Sequence, residues 1–302
     1  MIEKTSVNDQ FSWLKVQDLS DDDHNELREK YNLPKRFLRY VADVHERARF
    51  DTDDETGATL VIFDVVISSK FNGMDNTEPV AFLINKDTFI SFNHSKTSFI
   101  NHTIKEVITK RAHKDHQLNQ FELLIHLLFN LSLQFFDVID DVNVARTDIQ
   151  THLMQQKSHK AITQLMNLET SLVFLLTSLT SNYELLNDMK RTLDLSDTET
   201  QALDNVLIEA KQGQEMAQMA SDIIDRVSTA YSNLLDSNLN NTMKFLTVYS
   251  IILTIPSIVF SFYGQNVPIP LQDSPVAWLL TILVAGILVA FLIRYFHKND
   301  LF

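Results

Sequence analysis

The sequence contains no cysteine. That removes disulfides, thiolate zinc sites and cysteine nucleophiles together. Glycine is scarce, at five of 302 residues, and no GxxxxGK[ST] pattern occurs, so a P-loop ATPase is excluded. Basic residues are in deficit: 26 Lys and Arg stand against 39 Asp and Glu, a net charge of −13. Phosphate backbones need a basic face, so no nucleic-acid partner is expected, whereas an acidic surface attracts cations. The opening residues, MIEKTSVNDQFSW, lack an apolar signal-peptide core, so the soluble part is expected to stay unexported. No motif places a Ser-His-Asp or paired-carboxylate arrangement, and the chain is not expected to be an enzyme.

Hydrophobic length, by contrast, is present and concentrated at one end. Phe245 to Tyr263 is nineteen residues without a charge, and Val276 to Ile293 is a second uncharged run a dozen residues later. Nineteen residues at 1.5 Å each cover a bilayer core of roughly 30 Å. Two membrane-spanning helices are predicted, the first at about 245–263 and the second at about 276–294, joined by an outer loop at 264–275. Lys244 precedes the first; Arg294, His297 and Lys298 follow the second; the loop carries only Asp273. The positive-inside bias then puts both termini in the cytoplasm. The protein is expected in the cell membrane, with the lipid bilayer as a partner.

About 240 residues remain to fold in water. Residues 1–115 read as a cytoplasmic α/β (α+β) domain. DDDHNELREKYNL (21–33) and the stretch opened by Pro34 are helical patterns. RARFDTDDETGATLVIFDVVIS reads as a hairpin turning at TDDETG, and EPVAFLINKDTFISFNHS as another turning at Asn85-Lys86-Asp87. A helix from Ser98 to about Lys110 closes the region. From 116 to 242 no strand signal survives. Helices are predicted over 117–156 and 161–193, broken at LDLSD (193–197) with Ser196 or Asp197 as N-cap. One continuous helix then runs from about Glu199 through the membrane to Tyr263. Leu203, Leu207, Ala210, Gly213, Ala217, Ala220, Ile224, Val227, Tyr231, Leu234 and Asn238 keep a 3–4 spacing along it. Such a stripe calls for self-association or for packing on the preceding helices. Residues 243–302 form the membrane domain.

Within the first span, Asn240, Met243, Thr247, Ser250, Thr254, Ser257 and Ser261 recur every three or four residues and share one helix face. A hydroxyl stripe on an apolar helix has two readings. Small and hydroxyl residues let helices pack closely, or the stripe lines a water-filled pore built from several copies. No charged residue lies inside either span, which argues against a proton relay.

The first span ends in Tyr263-Gly264-Gln265-Asn266. Taken alone this is a helix C-cap, with glycine left-handed and asparagine helping. Taken with NNTMKFLT (240–247), two terminal spans, a basic tail and a long stalk helix, it resembles the CorA family of divalent-cation channels. The family signature is Tyr-Gly-Met-Asn; glutamine stands here in the methionine's place. The resemblance implies a homopentamer whose first spans ring a pore. Gly264, Gln265 and Asn266 form the ion-selectivity mouth, with Gly264 and Asn266 holding a hydrated Mg²⁺ in its outer sphere and Tyr263 completing the signature. Asn240 is implied as a polar inner ring, Met243 and Leu246 as a hydrophobic gate, and Thr247, Ser250, Thr254, Ser257 and Ser261 as pore lining. Mg²⁺ sheds water reluctantly, and a ring of neutral oxygens can hold its water shell loosely enough for release.

The implied function is passive Mg²⁺ uptake, closed by cytosolic Mg²⁺, with no cofactor beyond the transported and regulatory ion. Two charges moving inward at about 100 mV gain roughly 4.6 kcal/mol, which suffices without ATP. Gln265 leaves Co²⁺, Ni²⁺ and Zn²⁺ open as further ions. The alternatives are a zinc transporter of the same fold, with or without proton coupling, and a membrane-anchored sensor or scaffold that transports nothing. Acidic residues near the stalk (Asp194, Asp197, Asp204, Glu209, Asp222, Asp225) and the 51–55 cluster supply carboxylates, but none is singled out as a regulatory site. The 51–57 segment lacks the glycine and glutamate of a calcium loop, since Thr56 and Ile62 occupy those places, and reads as a turn. His113 and His116 read as a surface pair, Trp13 as packing, and Trp278 as a membrane-interface residue.

Overall fold

The computed structural model describes residues 2–67, 77–112, 118–155, 159–265 and 275–299. His113 and His116 lie outside them. The chain divides into two compact units, 1–228 and 229–302.

The first unit is built on a six-stranded mixed sheet. Its strands are β1 (Ile2–Ser6), β2 (Ser12–Gln17), β3 (Arg49–Thr52), β4 (Thr59–Val66), β5 (Thr77–Asn85) and β6 (Thr88–Asn93). The order is β1-β2-β6-β5-β4-β3; β2 and β6 run parallel and every other pair is antiparallel. Both expected hairpins form. In the first, Asp53 accepts from the Thr56 amide at 3.0 Å and its hydroxyl at 2.6 Å, and Gly57 takes φ +70°. The Thr56 hydroxyl, helped by Arg36, holds the Asp53 carboxyl below its ordinary range. Arg36 reaches both Asp51 and Asp53, so the acidic cluster is a salt-bridged turn. The N-terminal pair β1–β2 carried no separate signal: β1 is a polar edge strand whose residues after the half-buried Ile2 stay exposed.

Helices cover both faces of the sheet, which is why β4 and β5 read as continuous apolar runs. On one face Leu60, Ile62, Ala81, Leu83, Ile90 and Phe92 pack against Leu27, Phe37 and Leu38 of α1 (Asp21–Tyr31) and α2 (Lys35–Ala42). On the other, Val61, Phe63, Val80, Phe82 and Phe89 share a core with α3 (Ile100–Ala112), α4 (Gln120–Gln155), α5 (His159–Thr192) and the start of α6 (Asp197–Tyr263). Trp13 is buried there, donating from Nε1 to the Ser91 hydroxyl at 2.9 Å.

Ser196 caps α6, and Glu199 completes a capping box: Ser196 N and Oγ donate to Glu199 Oε2 at 2.9 and 2.7 Å. Asn119 accepts from the Glu122 amide at the start of α4 and donates to Glu199 at 2.9 Å. Burial pushes the Glu199 carboxyl up, but the bonds from Ser196 and Asn119 outweigh it and hold it low. The stripe of α6 that this unit buries is Leu203, Val206, Ala210, Gly213, Ala217, Ala220 and Ile224. Its small residues allow close approach: a Cβ on Gly213 would stand 3.2 Å from Leu179 Cδ2 on α5. Of the two readings of the stripe, packing on the preceding helices therefore applies as far as Ile224.

Where β3 ends, Asn182 of α5 takes over its pairing with β4. Its Oδ1 accepts from the Asp64 amide and its Nδ2 donates to the Asp64 carbonyl, both at 2.9 Å. Burial pushes the Asp64 carboxyl up to about 6, only partly offset by the bond from Ser178. An unfolded chain ionises this group near 4. As pH rises through about 4 to 6 the unfolded state releases the proton first, so stability falls across that window by at most about 2–3 kcal/mol. Asp64→Asn should therefore raise the thermal midpoint at about pH 7.5 and change it far less at about pH 4.5. Equal shifts at the two pH values would refute this account.

Candidate ion-conduction site

Among the described residues, four helices are long and apolar enough to cross a membrane: most of α4, most of α5, α6, and α7 (Ala277–Lys298). Packing separates them. In their most apolar stretches α4 is 56% buried and α5 39%, against 11% for α6 and 17% for α7. The apolar faces of α4 and α5 are spent on the sheet and on each other. Those of α6 beyond Tyr231 and of α7 remain to be solvated by something other than water.

The second unit holds residues 229–263 of α6 together with α7. Each helix buries one narrow stripe. On α6 it is Val248 and Val259, with Ile252, Ile255 and Pro256 half-buried; on α7 it is Thr281, Ala285 and Phe296, with Val284, Val289 and Leu292 half-buried. Every member of the hydroxyl face stays exposed: Asn240, Met243, Thr247, Ser250, Thr254, Ser257 and Ser261. At 100° per residue, Val248 and Val259 sit about 120–180° round the helix from Ser250, Thr254 and Ser261. The stripe therefore does not serve packing between the two spans of one chain.

Local bonding prepares that face. Ser250 Oγ donates to the Leu246 carbonyl at 2.8 Å, Thr254 Oγ1 to Ser250 at 2.7 Å, and Ser257 Oγ to Leu253 at 3.3 Å. These hydroxyls spend their proton within the helix and present oxygen lone pairs outward. Pro256 lies inside the span and offers no N–H to the Ile252 carbonyl one turn earlier. Toward the N-terminal end of this apolar stretch Met243 and Leu246 are 60% and 62% exposed. Between 229 and 247 no described residue is buried, and Leu234 and Leu239 stand open at 58% and 61%.

At the other end α6 stops at Tyr263. The Gly264 amide donates to Phe260 O at 2.9 Å and that of Gln265 to Phe262 O at 3.3 Å. Gly264 does not take the left-handed conformation of a glycine C-cap. A Cβ there would meet only its own last turn, Phe260 O at 3.2 Å and Ser261 O at 3.5 Å. The Phe260 contact is with backbone and tight, so the helix's own last turn crowds any side chain at this place. Asn266 and Asp273 lie outside the described residues.

The acidic candidates scatter. Asp204 pairs with Lys190, Asp222 accepts from Gln218 at 2.8 Å, and Asp225 is exposed. Among the described residues no three His, Asp or Glu side chains converge enough to hold a metal.

A sequence profile of CorA-like Mg²⁺ transporter proteins matches residues 8–298. The chain belongs to the CorA family. CorA proteins are divalent-cation transporters of membranes, not enzymes. A curated relative is the cobalt/magnesium transport protein CorA of Methanocaldococcus jannaschii, 20% identical over 95% of this chain and 90% of its own. The complete structure of the M. jannaschii CorA magnesium transporter superposes with a TM-score of 0.84 at 18% identity, covering 96% of this chain and 90% of that one. The full-length CmaX protein gives 0.73 at 16% identity, covering 95% and 88%. The cytoplasmic domain of ZntB from Vibrio parahaemolyticus gives 0.61 at 12%, covering 76% and 90%. At these identities the three structures establish the CorA fold, a soluble α/β unit followed by long helices.

Proposed function

We propose that this CorA protein is a homopentameric Mg²⁺ channel for passive uptake across the cell membrane, with both termini cytoplasmic. The observation that carries this reading is the fully exposed hydroxyl stripe of α6, set opposite the face that the chain buries. A helix that buries only a narrow apolar stripe at its back and leaves a polar face open needs water or further copies on that face. Five copies around an axis supply both. Thr247, Ser250, Thr254, Ser257 and Ser261 then line the pore, with Asn240 at its inner mouth and Met243 and Leu246 as an apolar neck that closes by dewetting.

Gly264, Gln265 and Asn266 form the outer mouth. Its ligands are neutral oxygens and amides, which suit a cation that keeps its waters; zinc would favour nitrogen or sulfur. The M. jannaschii relative is a cobalt/magnesium transport protein, and Co²⁺ is the second ion we assign. Cytosolic Mg²⁺ closes the channel.

Vesicles with the reconstituted protein and an internal Mg²⁺-sensitive dye test this. Mg²⁺ should enter down an inside-negative potential, and Asn266→Ala should slow entry at least about tenfold, the worth of one charge-assisted contact. Undiminished flux in Asn266→Ala would remove the mouth assignment. Added Zn²⁺ and a pH gradient should leave the flux unaltered; zinc entry driven by protons would point to the zinc transporter instead.

A further inference from the structure

The last turn of α7 carries a second pattern that ion conduction does not use. Arg294, His297 and Lys298 are spaced i, i+3, i+4 and all are exposed, so their side chains converge on one patch. Arg294 lies about 160–180° round the helix from the buried Ala285 and Phe296 and so faces away from the packed stripe. No carboxylate pairs with these three cationic side chains among the described residues. Their ordinary role at a helix end, capping the last carbonyls, is taken by Asn299, which donates from Nδ2 to Tyr295 O at 2.8 Å and from its amide to Phe296 O at 3.3 Å. One to two turns earlier the same face is apolar and open: Ile287 is 61% and Phe291 68% exposed, with the small Ala290 between them. An open apolar face thus leads to three basic side chains without a carboxylate partner among the described residues.

We infer that this face is a binding site for an anionic phospholipid of the cytoplasmic leaflet. Its phosphate would lie against Arg294, His297 and Lys298, and an acyl chain along Ile287, Ala290 and Phe291. Arginine can take two phosphate oxygens at once and lysine adds a point charge, while the open apolar face favours a ligand with a hydrocarbon chain over a free anion. The inference rests on α7 spanning the membrane with its C-terminus inside, but not on the pore.

Native mass spectrometry of the full-length protein in neutral detergent tests it. The protein is titrated with phosphatidylglycerol or with phosphatidylcholine of the same acyl chains. Each basic residue near an anionic surface is worth about a fivefold change in affinity. The doubly substituted Arg294→Gln, Lys298→Gln protein should therefore lose about 25-fold in phosphatidylglycerol binding. Its oligomer mass and weaker phosphatidylcholine binding should stay unchanged, which certifies its fold. Glycerol phosphate, the headgroup without chains, should fail to displace the lipid. Equal retention of the two lipids, an unaffected double variant, or displacement by glycerol phosphate would each overturn the site. The readout involves no ion flux, so a failed transport reading would not be mistaken for a failed lipid site.

Discussion

Vesicles carrying the Thr254→Leu, Ser257→Leu protein should take up Mg²⁺ on the order of a hundredfold more slowly than those carrying the parent. In the proposed pore these two positions form consecutive rings of hydroxyls, and their oxygens stand in for bulk water around a hydrated ion. Losing even one net hydrogen bond per ring costs about 1–1.5 kcal/mol each, or roughly 2–3 kcal/mol on the barrier. Both side chains are exposed and their hydroxyls bond only within their own helix. Leucine should therefore be accepted without unfolding, and an unchanged oligomer mass would show it. A scaffold whose spans only pack predicts no change in metal uptake. Parent-like flux from the substituted protein would favour that scaffold and end the pore reading.

The opposite result is expected at the inner neck. Met243→Gly and Leu246→Gly should each raise Mg²⁺ leak under closing conditions, at high Mg²⁺ on the cytoplasmic side. A methionine or leucine side chain contributes about 1.5–3 kcal/mol when removed from water. A ring that has lost it no longer expels water from the neck, and a wet neck conducts. Leak should rise on the order of tenfold or more. Both positions lie on an open face of one chain, so the gain cannot come from collapse of a packed core. If closed-state flux stays at the parent level in both variants, the constriction lies elsewhere. Glycine also weakens the helix by about 1 kcal/mol; Met243→Ala and Leu246→Ala, which keep the helix, should leak in the same direction.

Much of this molecule was legible before any fold was known. The hairpins around Asp53 and Asn85-Lys86-Asp87, the break capped at Ser196, and a single helix through Tyr263 all follow from local signals: turn residues, a capping box and an uninterrupted helical period. Those signals act within a few residues, so a sequence carries them whole. The edge strand β1 escaped because IEKTS has no apolar alternation; it is recruited by pairing with β2, a contact across the chain. Asn182 escaped for the same reason. Its amide replaces a strand partner 118 residues away, which no local pattern encodes.

For the site, the sequence by itself determined which residues share the polar face of α6, where the charges stop, and the Tyr-Gly-Gln-Asn end that resembles CorA. Spacing along one helix suffices for that, because 3.6 residues per turn maps order directly onto faces. It could not say whether the two spans of one chain pack through that face, nor tell α4 and α5 from α6 and α7 by apolar length. Only the tertiary structure decided those points. It spent the apolar faces of α4 and α5 on the sheet and on each other, buried Val248 and Val259 at the back of α6, and left the hydroxyl stripe uncovered by the rest of the chain. Burial belongs to pairs of elements distant in sequence, and which of them meet is settled when the whole chain packs.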